Sequence, residues 1–152
     1  MEYTKEQSNA LYVETKRKVL FEDDIVKLNA INQDLVNLPG IVNKEELLAI
    51  ETRFAISSSF LAGIVGRLSG YFAMETTALD KKINTKEKEL RDSGMAITTA
   101  HGLAKNEFKD IVEEVKVLEA IVEEYRGRLF ALKDALSAIG HKIINLQHER
   151  TN

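Results

Sequence analysis

The residues able to do chemistry are few, and their spacing is poor for most kinds of it. Histidine occurs at 101, 141 and 148 and cysteine not at all, which excludes a disulfide scaffold, a thiolate metal site and a cysteine nucleophile. A carboxylate-bridged metal site inside a helical bundle draws on Glu-x-x-His pairs, and none is present. His141 and His148 share a helical face seven residues apart, about 10 Å along the axis and too far for one ion. Glu113, Glu114, Glu119, Glu123 and Glu124 form an acidic run that would need partners from a facing helix to hold a metal; a solvated face is expected instead. Ser57-Ser58-Ser59 lacks the glycines of a nucleophile elbow and has no plausible base. No catalytic residue, metal or cofactor is assigned, and a non-enzymatic protein is expected.

What remains is binding. Arg67 is followed by Tyr71 and Phe72 on the next turn, and Lys81, Lys82, Lys86, Lys88 and Arg91 follow within DKKINTKEKELR. Cations interleaved with aromatics suit single-stranded nucleic acid, where phosphates meet charge and bases stack. The competing reading puts the aromatics in a bundle core and leaves the lysines as ordinary charged surface. The formal charge of −3 supplies no global attraction for nucleic acid, so any such binding must be local.

The elements that must position these residues are helices. The 152 residues are sized for one domain; 44% are hydrophobic, 30% are charged, and there is one proline. Tyr3 to Leu20 carries a loose helical pattern without a strong cap. Asp23-Asp24 is expected to cap a second helix bearing Ile25, Leu28, Ile31, Leu35 and Leu38, and Leu38-Pro39-Gly40 to end it. Asn43, with Glu46 three residues on, opens a third helix whose apolar edge runs through Leu47, Ile50, Phe54, Ser57, Leu61, Ile64, Leu68 and Tyr71. Asp92-Ser93-Gly94 is the expected stop. It divides a helical N-terminal part, 1–92, with the candidate DNA-binding segment, from a long C-terminal assembly helix, 93–152, within one domain overall. Gly63, Gly66 and Gly70 each cost a helix roughly 1 kcal/mol, which implies a close helix crossing or a break there.

The clearest pattern lies in the last third. Ile111, Val115, Leu118, Val122, Tyr125, Leu129, Leu132, Leu136, Ile139, Ile143 and Leu146 alternate in steps of four and three for five heptads, with Ala104 and Phe108 extending the run backward. A single helix from Ala96 to Arg150 is predicted, about 80 Å long at 1.5 Å per residue. The seam from Val115 to Leu146 is expected to hold subunits of a homo-oligomer together. The fold class is all-α: long helices in a hairpin or bundle, the C-terminal one bearing a heptad-like oligomerisation seam.

Phe54 to Met74 matches a membrane span in length, but Arg67 lies inside it and serines and glycines dilute it, so a tightly packed helix and no membrane partner are expected. The first residues have neither a basic segment nor an apolar run, so no secretory leader is expected and a cytoplasmic location is.

KEELLAIE (44–51), followed by GRLSGYF (66–72), resembles the corresponding segment of the UvsY-type recombination mediators of T-even bacteriophages. There a helix with a K-x-x-L-x-x-I-E pattern leads into a short basic-aromatic motif. DIVKL (24–28) is similar to the family's entry into its N-terminal helices, and ALKDALSAIGHKIINLQHE (131–149) to its C-terminal assembly helix. Arg67 matches the arginine of the basic motif, and Tyr71 and Phe72 fall near its aromatics. Val65 stands where the family has a lysine, the stretch between Glu51 and Arg67 is longer by about one turn, and the first twenty-odd residues have no counterpart. The resemblance implies a ring-forming all-α protein in the host cytoplasm. Such a protein binds single-stranded DNA and helps load a recombinase onto DNA covered by single-strand-binding protein. From a different class comes the alternative expectation: a helical phage assembly or adaptor protein that binds only protein.

Overall fold

The computed structural model describes residues 4–38 and 43–148, which form five α-helices and no strand. They are α1 (Lys5–Val19), α2 (Glu22–Asn37), α3 (Lys44–Asp92), α4 (Ile97–Glu107) and α5 (Lys109–His148). The protein is an all-α helical bundle, as its periodicity predicts.

Local chemistry fixes the ends. Thr4 Oγ1 accepts from the Gln7 N–H at 3.2 Å and Gln7 Oε1 accepts from the Thr4 N–H at 2.9 Å, so α1 has the strong cap that the sequence reading denied it. The start of α2 also differs from expectation. Phe21 is the capping residue, and Asp24, three positions on and buried, reaches back to accept the Phe21 N–H at 3.0 Å. Asn43 caps α3 as expected, its Oδ1 accepting from the Glu45 N–H at 2.8 Å. Pro39 and Gly40, expected to end α2, lie outside the described residues.

α3 stops where Asp92-Ser93-Gly94 predicts. The Gly94 N–H donates to the Arg91 carbonyl at 2.9 Å and the Met95 N–H to the Leu90 carbonyl at 3.2 Å, the paired bonds of a Schellman motif. Gly94 takes the left-handed conformation this requires, at φ +93°. The predicted single helix from Ala96 is instead two. Phe108 (φ −103°, ψ 22°) interrupts it, and its carbonyl then accepts from the Val112 N–H at 3.0 Å to begin α5.

The chain groups into two compact units. The first comprises Met1–Val19 and Arg67–Val122. Leu79, Ile83 and Ala104 form a core there, with Leu90, Phe108, Ile111, Val112 and Val115 packed on it; Leu68, Ala100, Leu118, Ile121 and Val122 are buried in the same unit. The expected boundary at 92/93 is the turn between α3 and α4, inside this unit. The second comprises Leu20–Gly66 and Glu123–Asn152. Its buried residues include Leu20, Asp24, Leu28 and Ile31, Leu47, Ile50, Phe54, Leu61 and Ile64 of α3, and Tyr125, Leu132, Ile139 and Ile143 of α5. Arg53 reaches Asp34 through two contacts at 3.3 Å, tying α3 to α2.

The seam assigned to subunit contacts is covered by this chain itself. Leu118 and Val122 are buried and Val115 half-buried in the first unit; in the second, Tyr125, Leu132, Ile139 and Ile143 are buried and Leu129, Leu136 and Leu146 half-buried. A second copy is not needed to remove these residues from water.

Gly63, Gly66 and Gly70 meet neither expectation. α3 runs unbroken past them, and a Cβ at any of the three would meet nothing within 4 Å. α3 also contains an 18-residue window of mean hydropathy 1.4, apolar enough to cross a membrane by length and composition, of which 22% is buried.

These glycines make opposite predictions. Gly63→Ala adds helix propensity in open space and should raise stability by roughly 1 kcal/mol. Gly94→Ala puts a Cβ into the left-handed region and should lower it by roughly 1–2 kcal/mol. Urea unfolding followed by circular dichroism measures both; a loss of stability in Gly63→Ala would mean that something packs against that face.

Candidate nucleic-acid interface

The residues singled out for nucleic acid all lie on the part of α3 that belongs to the first unit. Helical geometry sorts them. Arg67, Lys81 and Lys88 are separated by multiples of seven, so they share one side of α3 together with Met74, and all are exposed. Lys82 is exposed at the edge of that stripe. Phe72 and Lys86 lie toward the packed side, in step with Leu79, Ile83 and Leu90, and are half-buried.

Tyr71 is exposed, but its surroundings are acidic. It lines a small cleft with Thr15 and Lys18 of α1, Glu75 of α3 and Glu114 of α5. Burial, and then the Glu75 carboxylate beside it, push the Tyr71 hydroxyl above its ordinary pKa of 10.0. Two carboxylates flanking a ring disfavour a phosphate beside it. The structure therefore does not bring Tyr71 and Phe72 together with the lysines.

It brings another aromatic there. Lys81, Lys82 and Lys86 line an open groove with Ala78, Thr85 and Glu89 of α3, Glu107 of α4 and Phe108 at the α4–α5 break; the free space is about 480 Å³. Phe108 is half-buried, one side on the core of Leu79, Ile83 and Ala104, and still contributes to the groove. Lys86 Nζ lies 3.2 Å from Glu107 Oε2 and 3.8 Å from Glu89 Oε2. Lys81, Lys82 and Lys88 make no ion pair with any described residue. Sequence reading missed Phe108, Thr85 and Glu107 as groove residues. Phe108 was visible only as a backward extension of the seam.

The other chemistry-bearing residues are engaged elsewhere or on the surface. Glu113 pairs with Lys116 at 2.6 Å, Glu123 with Arg126 at 2.5 Å and Glu124 with Arg128 at 2.6 Å, so α5 neutralises much of its own acidic run. His101 contacts Glu87 at 2.9 Å, and all three histidines are exposed. The Ser59 hydroxyl donates to the Ala55 carbonyl at 3.3 Å. Among the described residues no group of three or more His, Cys, Asp or Glu is placed to hold a metal ion.

Compared with protein-family models, curated proteins and solved structures, the chain matches none. The likeness to the recombination mediators therefore rests on the residues quoted for it.

The Tyr71 environment gives a test with a defined sign. The folded state holds this proton more tightly than the unfolded chain. Its contribution to stability is thus present below pH 10.0 and is lost as pH rises through the folded-state midpoint. A ¹³Cζ titration of Tyr71 should give a midpoint above 10.0, and Glu75→Gln should move it down toward that value. An unmoved midpoint in Glu75→Gln would remove the carboxylate as a cause.

Proposed function

We propose that this protein is a non-enzymatic, single-stranded-DNA-binding accessory of recombination that helps a recombinase load onto DNA. The observation that carries the binding step is the exposed stripe of Arg67, Lys81 and Lys88, flanked by Lys82, in which the three lysines have no carboxylate partner among the described residues. A cation already matched by a neighbouring carboxylate gains little from a phosphate, whereas an unmatched one releases a counterion from the strand when it binds. The loading role, with a recombinase and a single-strand-binding protein as partners, rests on the resemblance to the mediators. So does the homo-oligomer, a ring by that resemblance, whose subunit contacts would have to use surface other than the covered α5 seam.

A second reading, a helical adaptor that binds only protein, is favoured by a different observation. Ile56 and Met74 on α3 are 67% and 69% exposed, and most of the apolar window of that helix is unburied. Large exposed apolar surface marks interaction sites.

Fluorescence anisotropy with a labelled oligothymidylate of about 15 nucleotides, across a salt series, separates the two. Binding should weaken steeply with salt. Lys81→Gln/Lys82→Gln should reduce the slope of log affinity against log salt by about 1.4, and Arg67→Ala by about 0.7. Affinity that is flat in salt, or absent while sedimentation shows an oligomer, selects the adaptor.

A further inference from the structure

Three lysines, a threonine and a phenylalanine around one groove make a more specific arrangement than a basic stripe, and one detail of it bears on what the groove takes. Lys86 is the only one of its three lysines paired, among the described residues, and the partner that spans the groove is Glu107 from α4. A carboxylate held 3.2 Å from an ammonium occupies the place a phosphate oxygen would take. The residue after Glu107 is Phe108, half-buried, which packs on the core and also lines the groove. The break at Phe108, φ −103° and ψ 22°, is what sets these two neighbours side by side at the groove wall instead of continuing the helix past it.

We infer that this groove holds one nucleotide unit of a bound single strand, with the base on Phe108 and the phosphate displacing Glu107 from Lys86. The inference rests on the single-strand-binding reading and makes Phe108 the stacking residue in place of Tyr71 or Phe72. The free space of about 480 Å³ lies within the roughly 300–1,000 Å³ of pockets that hold small molecules. Formal charge on the lining is +3 from Lys81, Lys82 and Lys86 against −2 from Glu89 and Glu107, a net of +1. Glu107 thus acts as an intramolecular competitor, and the strand must replace it to gain Lys86. Lys81 and Lys82, unpaired, supply the initial attraction. A free nucleotide offers the same base and phosphate chemistry but not the neighbouring phosphates for those lysines.

The test uses the full chain and the labelled oligothymidylate. Glu107→Gln should tighten binding several-fold at low salt. It should also steepen the salt slope by up to about 0.7, because in the wild type the displaced Glu107 carboxylate takes up a cation and offsets the counterion released at Lys86. Glu119→Gln, which removes an exposed charge outside the groove, should leave the slope unchanged. In a Lys86→Gln background Glu107→Gln should lose its effect on the slope. Phe108→Leu should weaken binding by roughly 5- to 100-fold, the range of one lost base stack, while Phe108→Tyr retains it. Unlabelled oligothymidylate should compete and thymidine monophosphate at equal nucleotide concentration should not.

A strand bound by the wild type with a steep salt slope, yet equally by the Glu107 and Phe108 variants, overturns the groove assignment and leaves the wider reading standing. Equal competition by the mononucleotide overturns the strand in favour of a free nucleotide. No binding by the wild type overturns both. Glu107→Gln removes only a surface ion pair, so its outcome holds even if Phe108→Leu fails to fold.

Discussion

Burial of one apolar edge along α3 and one along α5 is the interaction from which the other features follow. Within the second unit Leu47, Ile50, Phe54, Leu61 and Ile64 of α3 and Leu132, Ile139 and Ile143 of α5 are almost wholly removed from water. Within the first, Leu68, Leu79 and Ile83 of α3 and Leu118, Ile121 and Val122 of α5 do the same. A helix of 49 residues with a mean hydropathic balance near neutrality has little reason to persist on propensity alone; its packed edge holds it. Once that edge is set, helical geometry leaves Arg67, Met74, Lys81 and Lys88 together on exposed surface. It turns Phe72 and Lys86 partly inward. The division of labour among the basic residues is therefore a by-product of where the core lies.

The same constraint bears on assembly. A heptad seam states that a face must be covered, and here the chain's own helices cover it. Contacts between copies would then depend on what is still exposed, such as Ile56 on α3 or Phe130 on α5, at 67% and 66% exposure. Gly63 and Gly66 add no internal packing that would justify their cost in a helix, since nothing lies within 4 Å of the missing Cβ atoms. That cost is met by the apolar edge on the other side of α3.

Much of the fold was legible because the signals are local. Asn43 announced the start of α3, and Asp92-Ser93-Gly94 its end, since a cap needs only a side-chain oxygen and a reversal needs only a residue that tolerates positive φ. The Thr4-x-x-Gln7 box was equally local and was overlooked because the helix behind it is weakly patterned. Asp24 was misplaced by three positions: an acidic residue at a helix start can cap from outside or reach back from the first turn, and composition does not distinguish the two. The break at Phe108 was invisible for a better reason. Ala104, Phe108, Ile111 and Val115 stay in step across it, so the apolar periodicity passes through a backbone interruption unchanged. For the candidate interface, adjacency in sequence misled. Tyr71 is one turn from Arg67 but lines a separate cleft with Glu75 and Glu114, and Phe72 turns toward the packed side, while Phe108 reaches the lysines only through the α3–α4 turn.

The electrostatics of the groove explain why total charge is a poor guide here. The chain carries −3 overall, yet screening confines interactions at physiological salt to about 8 Å, so an approaching phosphate responds to the few groups within that radius. Along α5, Glu113, Glu123 and Glu124 already have a cation one turn away, which removes them from that count. At the groove the situation is reversed: Lys81 and Lys82 are unmatched and Lys86 is matched twice. Exposed ion pairs of this kind are worth about 1 kcal/mol or less, so Glu107 and Glu89 hold Lys86 only weakly. A ligand with two or more adjacent phosphates can engage the free lysines first and then outcompete the carboxylates at the third. A single anion has no such advantage, and it is this difference, set by how carboxylates are distributed and not by their number, that would let an acidic protein favour a strand.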